Sequence, residues 1–117
     1  MLAKKYRFHG YGSLKFVYSR GKTARTKFLS LKYIGNNRRQ DSRLAVVVSK
    51  KITKKAPARN RMRRRIYEAV RLQWPLIKPG YDLVITVFDE RIATLPANDL
   101  QGLVRELLIQ SGLAKDQ

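Results

Sequence analysis

Eight carboxylates and one imidazole are all that this chain of 117 residues holds for acid–base or metal chemistry. They are Asp41, Glu68, Asp82, Asp89, Glu90, Asp99, Glu106 and Asp116, with His9 as the lone histidine and no cysteine. Hydrolysis needs a positioned acid and base, or carboxylates that gather a metal, and no spacing here supplies either. His9 has no second histidine to share a metal or a proton, and reads as a surface residue of a basic arm over residues 1–12 that is free to move. The lack of cysteine removes disulfides and thiolate metal sites, and fits a cytoplasmic protein. No apolar run approaches the roughly twenty residues of a membrane span. The basic start Met1–Lys5 is not followed by the apolar segment of a secretory signal.

The chemistry that is present is phosphate recognition. Between Lys50 and Arg71 stand ten lysines and arginines against one acid, Glu68, in a chain whose net charge is +18 with a pI near 10.9. The charge is lopsided: residues 1–78 carry 23 basic and two acidic side chains, residues 79–117 three and six. Like charges three and four apart, such as Arg59 with Arg63 and Arg61 with Arg65, cost a helix a few tenths of a kcal/mol per pair (about 0.2–0.5). A merely solvated face mixes signs to avoid that cost, so the run points to a polyanionic partner. Arginine outnumbers lysine after Pro57, which suits bidentate phosphate contacts and stacking on bases.

The elements that position these side chains follow from periodicity. Residues 43–49 are an apolar run with both faces covered, expected to be an interior strand. A basic loop leaves its end, and Pro57 opens a helix. Met62, Ile66, Ala69, Val70 and Gln73 form its apolar seam. Arg59, Arg63, Asn60, Arg64, Tyr67 and Arg71 lie on one flank, and Arg61 and Arg65 on the other. Residues 27–34 alternate as a strand, with Leu29, Leu31 and Tyr33 on one face and Phe28, Ser30, Lys32 and Ile34 on the other; residues 22–26 are a short candidate strand before it. Tyr81–Phe88 is another buried strand. Asn98 or Asp99 can cap a last helix bearing Leu100, Leu103, Val104, Leu107 and Leu108, which Gly112 ends, leaving a frayed tail over 113–117. Trp74 reads as a packing anchor. The fold class is α+β, one small domain of order α-β-β-β-α-β-α, its sheet covered mainly on one face.

Near the N-terminus Ser13 is a candidate cap for a short helix carrying Leu14, Val17 and Tyr18, with Gly21 just past its end. Phe16 points away from that apolar face. Tyr18 has two readings, ordinary core packing or, with Phe16, the border of a groove in which a base stacks.

Val48-Ser49-Lys50-Lys51, the short basic loop and Arg59-Asn60-Arg61-Met62-Arg63-Arg64 resemble the signature of the bacterial ribonuclease P protein subunit. The resemblance spans nearly the whole chain and implies the same element order, with a left-handed crossover around the basic helix. It further implies a protein that assists a catalytic RNA subunit in removing the 5′ leader of precursor tRNA. That RNA uses Mg²⁺, and this chain would hold no metal and no catalytic residue. The residues it assigns to RNA are Lys50, Lys51, Arg59, Asn60, Arg61, Arg63, Arg64 and Arg65. Phe16 and Tyr18 are the candidates for the leader groove. Two positions depart from the pattern: Leu14 stands where another aromatic is often found, and Tyr67 where the family helix usually carries an arginine. Its partners are then the catalytic RNA and precursor tRNA, with no membrane and no obligate protein partner. The alternatives from other classes are a structural ribosomal RNA-binding protein and a DNA-binding module with its helix in the major groove.

Overall fold

A computed structural model describes residues 2–8, 11–36 and 40–115, with the side chain of Tyr11 left aside. The elements are α1 (Tyr11–Arg20), β1 (Lys22–Thr26), β2 (Leu29–Gly35), β3 (Arg43–Val48), α2 (Ala56–Arg71), β4 (Tyr81–Val87) and α3 (Ala97–Gln110). Short 3-10 turns occupy Lys4–Tyr6, Trp74–Leu76 and Glu90–Ala93. This is the expected α-β-β-β-α-β-α order. His9 and part of the loop between β2 and β3, residues 37–39, lie outside the described residues.

The four strands form one mixed sheet in the order β1-β2-β4-β3. β1 with β2 and β2 with β4 are antiparallel; β3 runs parallel to β4, joined to it through α2. β4 is interior as its sequence suggests, but β3 is an edge strand, which corrects the reading of residues 43–49. Its apolar run reflects two covered faces, and periodicity reports faces rather than edges. The open edge is partly closed by the N-terminal segment, where Arg7 bridges to Leu44 and the Phe8 amide donates to the Leu44 carbonyl at 3.1 Å.

Odd and even positions of the strands separate the two cores. Leu29, Leu31, Leu83, Ile85 and Val87 join Met62, Ile66, Ala69 and Val70 of α2 and Leu100, Val104, Leu107 and Leu108 of α3 in the main cluster. Phe8, Val17, Ala45 and Val84, with Leu14, Ile34 and Val47 alongside, make a smaller cluster under α1. Coverage is therefore heavier on one face but real on both. Gly21 lets the end of α1 approach β2: a Cβ there would lie 2.5 Å from the Val17 carbonyl oxygen and 3.0 Å from that of Tyr33.

Several local expectations are revised. Helix α1 begins at Tyr11, so Ser13 sits inside its first turn and is not the cap. The arm expected to be mobile is, over residues 2–8, packed on the domain, with Leu2 and Phe8 buried. Pro96 occupies the N-cap position of α3, and Asn98 and Asp99 fall within its first turn. The tail is not frayed at its start, since Leu113 and Ala114 are buried. Gly112, at φ 76°, turns the chain so that the Leu113 and Ala114 amides both reach the Leu108 carbonyl at 3.0 Å. Phe28 takes φ 71° and packs with the main cluster, not with Ser30 and Lys32. Trp74 does anchor packing, its ring 5.3 Å from that of Tyr6.

Candidate nucleic-acid interface

Helix α2 is held by its seam and displays arginines on two flanks that meet different surroundings. Pro57 lies in its first turn, and Met62, Ile66, Ala69 and Val70 are buried beneath it. The basic loop that precedes it turns at Ser49, whose carbonyl accepts from the Ile52 amide at 3.1 Å and whose Oγ accepts from the Lys51 amide at 3.0 Å. That turn leaves Lys50 and Lys51 exposed. Arg59 fastens loop to helix by donating to the Thr53 carbonyl at 2.9 Å.

On one flank, Asn60, Arg63, Arg64 and Tyr67 face the edge of β3 across a cleft of about 710 Å³. Arg7, Phe8 and Leu14 complete its walls, and Ala45, Val46 and Val47 its floor. Arg63 donates to the Asn60 side-chain oxygen, which orders that pair along the rim. Arg64 is exposed and has no hydrogen bond or ion pair among the described residues. Burial pushes the Tyr67 hydroxyl above its ordinary pKa, opposed by a backbone hydrogen bond at Val46 and by the charges of Arg7 and Arg63. The resulting wall is apolar at its base and cationic at its rim, the combination that suits a single nucleic-acid strand.

The other flank is closed. Arg61 donates to the Ala93 carbonyl at 3.2 Å. Arg65 donates to the Ile92 carbonyl at 2.5 Å and to the Leu95 carbonyl. These bonds clamp the 3-10 turn Glu90–Ala93 onto α2. Desolvation first, and then the nearby Arg61, lowers the Arg65 pKa. Arg65, grouped with the RNA-binding arginines from sequence, is thus largely committed to the fold. Arg71, at the end of the helix, is matched by Glu68 at 2.5 Å, and that hydrogen-bonded partner holds the Glu68 carboxyl at about 2.

Phe16 and Tyr18 do not share a site. Phe16, 53% exposed, borders a separate hollow with Gly12, Ser13, Gly35, Asn36, Arg43 and Asp82. Tyr18 stands one helical turn from Leu14, on the same side of α1 as the cleft. It is 39% exposed and its hydroxyl meets Thr86 Oγ1 at 3.1 Å, while its carbonyl accepts from Lys32 Nζ at 3.2 Å. Its place is therefore on the open sheet surface beside the cleft.

Sequence reasoning missed Arg7 and Phe8, since the arm was read apart from the domain. Arg7 lies with its guanidinium 5.7 Å from the Tyr67 ring centroid, so a cation stands where the helix itself offers only a phenol. Phe8 is held from the side by Arg43, 4.6 Å from its ring, and Arg43 is itself bound at two points to buried Asp82, each at 2.9 Å. Among the described residues no group of three His, Cys, Asp or Glu side chains could hold a metal ion. No described helix is long and apolar enough to cross a membrane.

The family model for ribonuclease P matches residues 2–111 of the chain. A Synechocystis relative, the ribonuclease P protein component, is 34% identical over 112 residues, covering 96% of this chain and 90% of the relative. The chain belongs to the ribonuclease P protein family. A second ribonuclease P protein component, from Clostridioides difficile, is 39% identical over 101 residues, 84% of each chain. The fold agrees with solved ribonuclease P proteins. That of Staphylococcus aureus superposes with a TM-score of 0.82 at 19% identity, covering 94% of this chain and 98% of the other. That of Thermotoga maritima gives 0.75 at 23% identity, covering 83% and 89%. The chain is accordingly a protein component of ribonuclease P, an RNA partner in an endoribonuclease complex that processes tRNA. The ribosomal and DNA-binding alternatives fall with that membership.

Proposed function

We propose that this ribonuclease P protein docks on the catalytic RNA subunit and holds the single-stranded 5′ leader of precursor tRNA in the cleft between α1, β3 and α2. The observation that carries this is the cleft itself, with Val47 in its floor, Phe8 and Leu14 in its walls and the cations of Arg7, Arg63 and Arg64 around it, while Tyr18 on the open sheet surface beside it offers a ring to the leader. Cations on the rim meet phosphates without reading bases, so leaders of different sequence are accepted. Lys50, Lys51 and Arg59 extend the cationic surface toward the catalytic RNA and the bound precursor, lowering repulsion between two polyanions.

Bond hydrolysis is assigned to the RNA subunit with its Mg²⁺. The residues of this chain do not fit a protein-held Mg²⁺: among the described residues no three His, Cys, Asp or Glu side chains gather, and Glu68, Asp82 and Asp89 are matched by Arg71, Arg43 and Arg91. The chain's own contribution is binding and orientation, and the cytoplasm is its proposed place of work. The test is to combine purified protein, a catalytic RNA subunit and precursor tRNA at low Mg²⁺. Protein alone should cut nothing, and RNA with protein should release an intact leader where RNA alone is poor. Cleavage by protein shown to be free of RNA would overturn the assignment.

A further inference from the structure

Phe88, the residue just past the end of β4, keeps 45% of its surface exposed. Alternation along the strand puts Val84, Thr86 and Phe88 on the α1 side, where Val84 joins the smaller cluster and Thr86 meets the Tyr18 hydroxyl. The register aligns Arg25 with Ser30, Ser30 with Thr86, and Thr86 with Val47. Arg25 therefore stands on the same side, and its guanidinium lies 5.0 Å from the Phe88 ring centroid.

Thr26 pairs with Leu29, so Lys27 and Phe28 are the two-residue turn between β1 and β2, and continued alternation would set the Phe28 ring opposite Phe88. The left-handed backbone at Phe28, φ 71°, sends that ring into the main cluster instead, with Arg91 at 4.5 Å and Lys27 at 5.2 Å from its centroid. The Phe28 carbonyl still accepts from the Phe88 amide at 2.8 Å, so the backbone pairing survives while the covering ring is removed. A two-residue hairpin turn calls for such a left-handed residue, so the turn itself accounts for the conformation. Here the consequence is an open aromatic ring bearing an arginine. Asp89, next in the chain, is already matched by Arg91 at 2.8 Å. Val48 pairs with Val87, so the loop carrying Lys50 and Lys51 leaves the sheet next to Phe88.

We propose that Phe88 with Arg25 is a second stacking station for the 5′ leader, beyond Tyr18 on the path that starts in the cleft. The proposal rests on the leader-binding reading given above. Phe88 lies two residues past Thr86, about 7 Å, which is about two nucleotides at the stacked rise of about 3.4 Å and fewer for an extended strand. The station thus takes a base one to two nucleotides farther along the leader than Tyr18 does. An unpaired base stacks on the ring, and Arg25 and the loop lysines meet the flanking phosphates.

The experiment uses the assembled complex of catalytic RNA and protein, with precursor tRNAs whose leaders lengthen from none, one nucleotide at a time. Phe88→Ala should match the parent on mature tRNA and on the shortest leaders. It should lose about five- to a hundredfold in affinity, the worth of one stacked base, once the leader reaches one to two nucleotides beyond the length at which Tyr18→Ala first shows its loss. Phe88→Tyr, which keeps the ring, should restore binding. Phe88→Leu, which keeps apolar bulk without the aromatic face, should not, and this separates stacking from folding. An affinity of Phe88→Ala equal to the parent at every length overturns the station, as does the same loss at every length including mature tRNA. If the parent gains nothing from any leader, the leader-binding reading fails and the station with it, an outcome visible in the parent alone.

Discussion

The two flanks of α2 carry the same residue type and do different work. Arg63 and Arg64 border an open cleft against β3, whereas Arg61 and Arg65 are bonded to the carbonyls of Ala93, Ile92 and Leu95. An arginine has five N–H donors and a fixed charge, so it serves equally as an RNA ligand or as a strut that satisfies carbonyls at a turn. What separates the roles is whether the protein's own backbone stands opposite. Charge in the sequence therefore locates the interface to a helix, and the fold narrows it to one side.

The largest expected effect falls on the closed flank. Arg65→Ala leaves the Ile92 and Leu95 carbonyls without their charged donor and should cost about 1.5–3 kcal/mol of stability, read as a fall in Tm of roughly 4 °C or more per kcal/mol. Arg65→Lys should rescue only in part, because one ammonium does not reproduce the planar fork. An unchanged melt would show that the clamp on the 3-10 turn carries no weight.

On the open flank the effect moves from stability to binding. Arg63→Ala or Arg64→Ala should leave the melt near that of the parent and weaken RNA binding. Each should flatten the log–log salt dependence by about 0.7–0.9, the share of a single phosphate that the variant no longer neutralises. Arg7→Ala belongs with this group, although it lies far away in sequence, because its guanidinium lines the same cleft. A filter-binding salt series on the three variants checks this. A silent Arg7→Ala would remove the arm from the interface.

The smallest effect concerns Arg71, which Glu68 withdraws from RNA. The Glu68 carboxyl is held at about 2 against its ordinary 4.5. A lowered folded pKa adds stability that is complete above about pH 4.5 and fades as the pH falls toward 2. Glu68→Gln should therefore lose a little of the acid limb of the stability profile, with a small gain in RNA affinity as Arg71 is released. Denaturant melts from about pH 2 to pH 6 read the first, and a binding titration the second.

Much of this was legible in the chain before any coordinates. The element order follows from periods of about 2 and 3.6 residues, and the α2 seam from Met62, Ile66, Ala69 and Val70. What escaped was pairing between distant segments. Nothing in Arg43–Val48 tells an edge strand with two covered faces from an interior one. The approach of Arg7 and Phe8 to Leu44 is a single bridge with no periodic signal. Arg65 looks like its neighbours until the turn at residues 90–93 is placed against it. Phe28 continues an alternating pattern that its left-handed backbone breaks. Phe16 and Tyr18, two apart on α1, necessarily point to different sides of a helix turning about 100° per residue, and the structure sends Phe16 to a separate hollow and Tyr18 to the open sheet surface beside the cleft.

The difference between the flanks is tested most directly by one comparison of salt dependence. The assembled complex is titrated with precursor tRNA over a range of salt, once with Arg63 and Arg64 both changed to Ala and once with Arg61 and Arg65 both changed to Ala, below the melting point of either variant. The open-flank pair should lose about 1.4–1.8 units of slope, and the closed-flank pair should keep the parent slope. Equal losses from the two pairs would contradict the account, since net charge rather than the cleft would then be what the RNA feels.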